Sequence, residues 1–443
     1  MSIRTYREGD EDEIAKLLSE CFGSFKSFGL TGEKWRRFFE IDPGYRKDLS
    51  FVAEKDGRIV SHVQIVERKM KVAAGATLSV AGIANVSTTR DFRRSGISTR
   101  LLNHALGVVR EKGFLVSALF TGAQIPAHRI YLRLGFSGVC FQVMLLRGVK
   151  TPLGWTNDQT RQGSLGKRIE TRESVEKDDT SLLRVYEKNY DSYNGLAVRD
   201  KEMWKTKYRD RFVYESPFYE EDLRQGNMIV AEGEDGNIVG YGISGLAKRD
   251  KLGHICEVLT TPGYEKQAGR PIAESILSHL RNESPLSIIA YSSENILIDD
   301  LFRKGSSPLT GISVFMLKTL DLKVTMQSSL QHFYSKRGEQ RESTLPHLKT
   351  IAVKILGGGS VTLKLEPGNV TVLEDQEKKE GSVMFLDDDS FAKLLFGAKS
   401  SAELINEGKL KMPTTGAKRN EIVGLLENAF PRKPTHTFPG DIW

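Results

Sequence analysis

The sequence predicts a mixed α/β fold of three units: two α/β units of similar design, followed by a smaller α+β unit. Three observations support this prediction. Strand-like and helix-like segments alternate over the first 150 residues, the same order returns after a polar stretch, and the pattern changes to short alternating runs near residue 321. A chain of 443 residues suits about three domains. The predicted divisions are a first unit at 1–150, a linker at 151–166, a second unit at 167–320 and a third unit at 321–443.

The first unit opens with a strand and an amphipathic helix over residues 3–22. Residues 49–72 then contain two strand-like segments, one on each side of Asp56-Gly57. Because Asp-Gly adopts the positive φ angles of a tight hairpin turn, this stretch predicts two antiparallel strands. Residues 114–120 are almost entirely apolar and predict a buried strand later in the unit.

The segment between these strands carries the most chemical information. It runs from a strand end into a short basic turn and then into a helix that begins near Thr99. The free N–H groups of a helix start, a glycine that lets a ligand approach the backbone, and two arginines together suit a pyrophosphate, and here point to coenzyme A. The residues predicted to bind this cofactor are Val86, Ser87, Thr88, Arg93, Arg94, Ser95, Gly96, Ile97 and Ser98.

A second helix is predicted over residues 125–136. Pro126 falls in its first turn, and Gly135 is placed to end it in a left-handed conformation. Tyr131 lies within this helix and is followed four residues later by the Gly135-Phe136 pair.

These motifs resemble the GCN5-related N-acetyltransferases (GNAT) over residues 1–148. The spacing Arg93-x-x-Gly96-x-Ser98 matches the family's Q/R-x-x-G-x-G/A signature, except that Ser98 replaces the final Gly or Ala. Tyr131-x-x-x-Gly135-Phe136 matches the closing Y-x-x-x-G-F element. The resemblance implies an acyltransferase enzyme whose co-substrate is acetyl-CoA.

The second unit repeats the design of the first but lacks its chemistry. Thr260-Thr261 echoes Thr88-Thr89, and Asp235-Gly236 stands where the first copy has Asp56-Gly57. The segment 267–271 has no paired arginines, and Leu301 stands where Tyr131 stands in the first copy. We therefore expect a degenerate GNAT fold with a structural and substrate-shaping role.

The third unit is predicted to contain four strands and then helices. Its strand-like runs lie at 350–356, 360–365, 370–373 and 382–386. The helical runs at 391–396 and 401–406, followed by a strand-like Gly408-Lys409-Leu410-Lys411-Met412, resemble the end of sterol-carrier-protein-like domains. A generic α+β unit remains the alternative.

Two GNAT folds followed by a sterol-carrier-protein-like domain resemble the enhanced-intracellular-survival (Eis) acetyltransferases over the whole chain. The resemblance implies that Tyr131 is the general acid and that the C-terminal carboxylate, here of Trp443, is the general base. It also implies a homohexamer that acetylates primary amines, such as aminoglycosides or lysine side chains, by direct attack on the thioester. The last residue of the family member that we take as reference is Phe, so Trp443 is a departure.

The sequence leaves one alternative function open and argues against several kinds of partner. A non-catalytic acyl-CoA or lipid-binding protein that uses the sterol-carrier-like domain is the alternative function. The net charge of +7 comes from interspersed charges, which argues against nucleic acid as a partner. Three distant cysteines and the histidine spacings indicate neither disulfides nor a metal site. With no apolar run of membrane-spanning length and no N-terminal signal-like segment, we expect a cytoplasmic protein without a membrane partner.

Overall fold

The structure is a computed structural model in which a long sheet runs through the first two units. It describes residues 1–27, 29–72, 75–154, 169–209, 227–247, 251–282, 285–292, 295–308, 313–337, 350–366, 369–374, 382–438 and 441. Most of the predicted linker 151–166 therefore lies outside the described residues.

The first unit contains six strands and six helices. The strands are β1 (Ser2–Thr5), β2 (Tyr45–Lys55), β3 (Arg58–Lys71), β4 (Thr77–Thr88), β5 (Val116–Gly122) and β6 (Ser137–Gly148). The helices are α1 (Glu11–Cys21), α2 (Gly23–Ser27), α3 (Gly32–Arg36), α4 (Phe38–Ile41), α5 (Ile97–Glu111) and α6 (Pro126–Arg133). The predicted hairpin is present: Asp56 and Gly57 both have positive φ, at 52° and 72°, between β2 and β3.

The second unit repeats this order of elements. Its strands are β7 (Glu170–Glu173), β8 (Asn227–Glu232), β9 (Ile238–Ala247), β10 (Leu252–Thr260), β11 (Ser287–Ser292), β12 (Ser307–Pro308) and β13 (Ser313–Thr319). Its helices are α7 (Asp179–Glu187), α8 (Lys201–Met203), α9 (Glu265–Asn282) and α10 (Ile296–Phe302), and α8 continues as a π-helical turn over Trp204–Arg209.

The third unit is a separate four-stranded sheet with helices. The strands are β14 (Thr350–Leu356), β15 (Ser360–Glu366), β16 (Asn369–Glu374) and β17 (Ser382–Asp387). The helices are α11 (Leu322–Arg337), α12 (Asp388–Leu395), α13 (Ser401–Asn406) and α14 (Gly416–Ala429). The predicted strand over 408–412 is wrong, because Lys411 makes only an isolated bridge to Phe385.

The large sheet joins the two units by exchanging their last strands. Its order is β1-β2-β3-β4-β5-β13-β6-β11-β10-β9-β8-β7, with β12 paired to β6. β13, from the end of the second unit, lies between β5 and β6, whereas β6 pairs with β11 of the second unit. The divisions at 150 and 167 therefore separate the chain by sequence but do not separate its sheet.

Helices cover both faces of the first unit. Side chains of a strand alternate between the two faces of its sheet, so Phe51 and Val52 point to opposite sides. Phe51 packs with α5 and α6 in one apolar cluster, and Val52 packs with α1 and α3 in another. The third unit covers a further part of this sheet, because Val116 and Ala118 belong to its apolar core. No helix of the described part of the chain combines the length and apolar character needed to cross a bilayer.

Candidate active site

β4 and β5 separate halfway along their length. They form a parallel ladder that joins Val80 to Val116 and ends with Ile83 and Leu119. Beyond Ile83, β4 stays paired with β3, while β5 follows β13 as far as Gly122. Asn85 marks the point of separation with a positive φ of 55°, which is uncommon for a residue other than glycine. The main chain of residues 84–88 is thus left without ladder bonds to β5, at an edge that can bind a ligand.

The end of β4 carries the three strand residues that the sequence predicts for cofactor binding. Val86 packs against the apolar cluster of α5. Ser87 is buried, and its hydroxyl makes no hydrogen bond within the described residues. The Thr88 hydroxyl lies 2.9 Å from that of Ser61, which fixes this strand end against β3.

The turn between β4 and α5 contains two residues in the left-handed region of the backbone. Arg94 and Gly96 have positive φ angles of 63° and 78°, and the Ser95 hydroxyl donates to the Phe92 carbonyl at 2.5 Å. Turns of this kind can point successive N–H groups toward one side and form a concave site for anions. Gly96 is the N-cap of α5, and no side chain caps that helix. The first N–H groups of this 15-residue helix are therefore available to a phosphate.

The two arginines of this turn have different surroundings, although both are exposed. The Arg93 Nε donates to the Thr88 carbonyl at 3.1 Å, and its Nη2 lies 3.6 Å from the Cys21 sulfur. Arg93 therefore ties the turn to the end of β4 while keeping further N–H donors. Ile97 is buried in the apolar cluster and anchors α5, and Ser98 is half-buried in its first turn.

Tyr131 lies on α6, on the same face of the sheet as the start of α5. Its side chain is only 6% exposed and packs edge-on against Phe136, with ring centroids 6.0 Å apart. None of the hydrogen bonds found among the described residues involves its hydroxyl. Burial raises the pKa of Tyr131 to about 12, so that the phenol stays protonated at neutral pH. A protonated phenol with a free hydroxyl is suited to donate a proton to a bound substrate.

Trp443, the predicted general base, lies outside the described residues. The preceding part of the C-terminal tail, defined here as residues 430–443, is described to Phe438 and again at Asp441. It leaves the third unit and contacts both other units: the Cys140 thiol donates to the Thr435 carbonyl at 3.1 Å, and Asp441 pairs with Arg199.

A group of buried polar side chains on the opposite face of the sheet was not predicted. His62 of β3 is fully buried, its Nε2 lies 3.0 Å from the Ser50 hydroxyl, and its ring packs edge-on against Trp35. The His62 Nδ1, the Trp35 Nε1 and the Asn85 side-chain nitrogen have no hydrogen-bond partner in the described chain. Burial lowers the pKa of His62 to about 4, so the ring is neutral.

Unpaired buried polar atoms are costly, and several in one place mark a site where water or a ligand can bind. The sequence signal that could have found this group is the polar run Ser61, His62 and Gln64 inside a strand that is buried from Ile59 to Val66. A cavity of about 770 Å³ beside α1 is lined by charges of both signs, among them Asp12, Lys16 and Arg90, which lies two residues after the end of β4.

The second unit has no comparable turn in its described part. Residues 267–271 lie inside α9, where Arg270 pairs with Glu274 at 2.7 Å. A Cβ on Gly269 would meet the Leu297 side chain at 2.5 Å, so this helix is packed closely against α10. Leu301 is fully buried. No cluster of three or more metal-ligating side chains occurs among the residues that the structure describes.

Comparison with known proteins identifies the first unit. Residues 2–139 match the family model described as an acetyltransferase (GNAT) domain. An uncharacterized N-acetyltransferase of Methanocaldococcus jannaschii is 27% identical over 144 residues, which cover 30% of this chain and 60% of that protein. The match thus spans less than two thirds of the length of this relative.

Solved structures extend the likeness to the whole chain at the level of the fold. A probable N-acyltransferase of Enterococcus faecalis has a TM-score of 0.67 at 14% identity, covering 98% of this chain and 97% of that one. Eis1 of Mycobacterium abscessus has a TM-score of 0.60 at 13% identity, covering 100% of both chains. The predicted α/β fold class is confirmed. The match over residues 2–139 places an acetyltransferase (GNAT) domain in the first unit, as predicted.

Proposed function

We propose that the acetyltransferase (GNAT) domain at residues 2–139 makes this chain an acetyl-CoA-dependent N-acetyltransferase that acts on primary amines. One observation carries the proposal: the left-handed turn at Arg94–Gly96 and the uncapped start of α5 lie directly after the strand end that separates from β5. Coenzyme A has a pyrophosphate and an amide-containing arm. The turn and helix start suit the pyrophosphate, and the open edge of β4 beside them suits the arm.

In this proposal, the N–H groups of residues 93–98 bind the pyrophosphate, and the guanidinium groups of Arg93 and Arg94 balance its charge. The main chain of Val86, Ser87 and Thr88 pairs with the amides of the arm, as a neighbouring strand would. The thioester then lies at the separation of β4 and β5, where an N–H group of β4 can polarise its carbonyl.

The chemical step needs a base and an acid. An alkyl ammonium has a pKa near ~10, so it must lose a proton before its nitrogen can attack the thioester carbon. The terminal carboxylate of Trp443, ionised at neutral pH, accepts this proton through a water. The carbon–sulfur bond breaks as the amide forms, and the leaving thiolate takes the hydroxyl proton of Tyr131. The hydroxyl of Tyr131, protonated at neutral pH and without a hydrogen-bond partner among the described residues, supports this role.

The proposed organisation of the protein is that of the Eis acetyltransferases. Its second unit is a degenerate GNAT copy, its third unit is a sterol-carrier-protein-like domain, and the protein assembles as a homohexamer. Support for the second copy comes from the repeated element order and from the parallel pair β10–β11, which corresponds to β4–β5. The proposed acceptors are aminoglycoside-like amines or lysine side chains. They would approach from the face of His62 and Trp35, where unpaired polar atoms and the cavity beside α1 are found.

A panel of amines tests the proposal, with release of free coenzyme A thiol as the readout. We expect thiol release that depends on both the amine and acetyl-CoA and that falls in Tyr131→Phe. An exposed apolar residue of the separate four-stranded sheet provides the control: Leu356→Ala, at a side chain that is 58% exposed, should keep full activity.

The competing function, acyl-CoA or lipid binding without catalysis, predicts a different pattern. Acetyl-CoA would raise the thermal midpoint, by the equivalent of about 2.7 kcal/mol at 100 times its Kd, yet no amine would release thiol. That result would refute the proposed acetyltransferase activity and would support a site that binds acetyl-CoA without catalysis.

A further inference from the structure

β10 of the second unit corresponds to β4, the strand at the proposed reaction site of the first unit, but different groups surround it. The matching pairs Thr88-Thr89 and Thr260-Thr261 align β4 with β10, which places Glu257 opposite Asn85. Both positions lie at irregularities: Asn85 has a positive φ, and the β9–β10 register shifts between Ile255 and Glu257. The second unit therefore has its own counterpart of the proposed reaction site.

Side chains of the same chain fill this counterpart. Arg199 donates to the two carboxylate oxygens of Glu257 at 2.9 and 2.8 Å, and both residues are almost completely buried. The Tyr241 hydroxyl also donates to Glu257. Because Arg199 neutralises it, the Glu257 carboxylate is a structural anchor in this unit.

The same guanidinium holds the C-terminal tail. Arg199 donates to Asp441 from Nε at 3.0 Å and from Nη2 at 2.8 Å. The hydroxyls of Tyr208 and Tyr186 donate to the same carboxylate, the latter at 3.2 Å. Asp441 is only 3% exposed, so a buried, charged contact lies two residues before Trp443.

Aromatic rings enclose the guanidinium. Its central carbon lies 3.8 Å from the ring centre of Tyr186, 4.2 Å from that of Tyr208 and 5.4 Å from that of Phe438. Phe438 belongs to the tail itself, so the tail supplies both a carboxylate and a ring to Arg199. Buried charge pairs of this kind are costly to break, because loss of one partner leaves an uncompensated charge.

The tail backbone is also held in register. Asn194 donates its N–H to the Pro434 carbonyl at 2.9 Å, and its own carbonyl accepts from the His436 N–H at 2.8 Å. Gly195 has a φ of 81°, and a Cβ there would lie 3.2 Å from the His436 carbonyl oxygen. The second unit thus binds the tail as an extended peptide, with one side-chain anchor at its end.

We propose that the second unit is a receptor for the chain's own C-terminal segment, in which Asp441 binds at the vacated reaction site through Arg199 and Glu257. Asp441 and Arg199 are then positioning residues that fix where the last two residues begin. The catalytic consequence rests on the proposed function, since it requires the terminal carboxylate as base.

Limited digestion with carboxypeptidase A tests the anchor in the full chain, with loss of Trp443 followed by mass spectrometry. We expect Asp441→Asn to lose Trp443 at least about tenfold faster than the parent, because the charged half of the contact is gone. Asp389→Asn is the matched control: it breaks a partly exposed ion pair with Lys393 and should leave the digestion rate unchanged.

Tyr208→Phe is the second variant. It removes one hydrogen bond to Asp441 and keeps the ring, so it should fold normally and show a smaller acceleration. Unchanged digestion in both variants, with native thermal midpoints, would overturn the proposal.

Kinetic measurements distinguish the role of Asp441 as an anchor from the role of the Trp443 carboxylate as the base. If both roles are correct, Asp441→Asn lowers kcat by about tenfold or more and leaves the KM for acetyl-CoA unchanged, because a displaced base impairs the chemical step and not cofactor binding. Faster digestion with an unchanged kcat would keep the anchor and refute the terminal carboxylate as base.

Discussion

At the scale of single residues, Tyr131 shows how burial can set a role. Its ring packs in the apolar cluster, and none of the hydrogen bonds among the described residues involves its hydroxyl. The raised pKa keeps the phenol protonated at neutral pH, which is the state that a proton donor needs; because it also makes the phenol a weaker acid, the proposed role depends on its position beside the leaving thiolate.

Tyr131→Phe should therefore retain folding and acetyl-CoA affinity and lower kcat by roughly 10²–10⁴-fold. The ring keeps its packing while the proton is lost. Calorimetry checks the affinity, and the thiol-release assay gives kcat. Parent-level turnover in this variant would return Tyr131 to a purely structural role.

Gly96 and Gly107 of the same segment should respond in opposite ways to alanine. Gly96 has a φ of 78°, so Ala is strained there although no atom lies within 4 Å of a built Cβ. Gly107 lies inside α5 with equally open space, where Ala is the better helix former.

We expect Gly107→Ala to stabilise the protein by about 0.5–1 kcal/mol and Gly96→Ala to destabilise it by about 1 kcal/mol or more. Only Gly96→Ala should weaken acetyl-CoA binding, because the turn must change its conformation to accept a Cβ. Thermal midpoints and calorimetry measure both effects, and equal behaviour of the two variants would contradict the anion-binding role of the turn.

At the scale of elements, the sequence predicts a helix start or a turn correctly where the residues of one short segment determine that structure. Pro126 opens α6, and Asp56-Gly57 makes the predicted hairpin. Each depends on a few neighbouring residues.

Contacts between distant segments could not be predicted in the same way. β13 lies between β5 and β6 although more than 160 residues separate it from either in sequence, and nothing in its apolar pattern specifies which edge it joins. His62 was missed because its significance comes from Trp35 and Asn85, which other elements bring to it.

The strand exchange predicts that the first unit cannot fold alone. A fragment of residues 1–150 lacks β13, whose Phe315 and Met316 are fully buried, and exposes the edge of β5. We expect no cooperative thermal transition from this fragment by circular dichroism. Fusing residues 313–320 to it through a flexible linker should restore a transition. A sharp transition from the unfused fragment would contradict this.

At the scale of the whole molecule, the C-terminal tail connects all three units. It emerges from the third, contacts Cys140 of the first and binds Arg199 of the second. The ion pair between Asp441 and Arg199 spans 242 residues, so no local pattern in the sequence indicates where the tail binds.

Adding a few residues after Trp443, or amidating it, removes or displaces the terminal charge and spares every side chain. We expect amine acetylation to collapse while acetyl-CoA still binds with parent affinity. An equal extension at the N-terminus is the control and should keep activity. Full activity in a C-terminally extended enzyme would show that the amine proton is taken elsewhere.

We expect one coenzyme A site per chain, at the turn between β4 and α5. Titration calorimetry with acetyl-CoA measures this directly, on the parent and on the variant with both Arg93→Ala and Arg94→Ala. It should give one site per chain, and an affinity loss in the variant of a few kcal/mol, with about 1.5–3 kcal/mol for each hydrogen bond to a charged group as an upper guide. Two sites per chain, or an unchanged affinity in the variant, would refute a coenzyme A site at this turn.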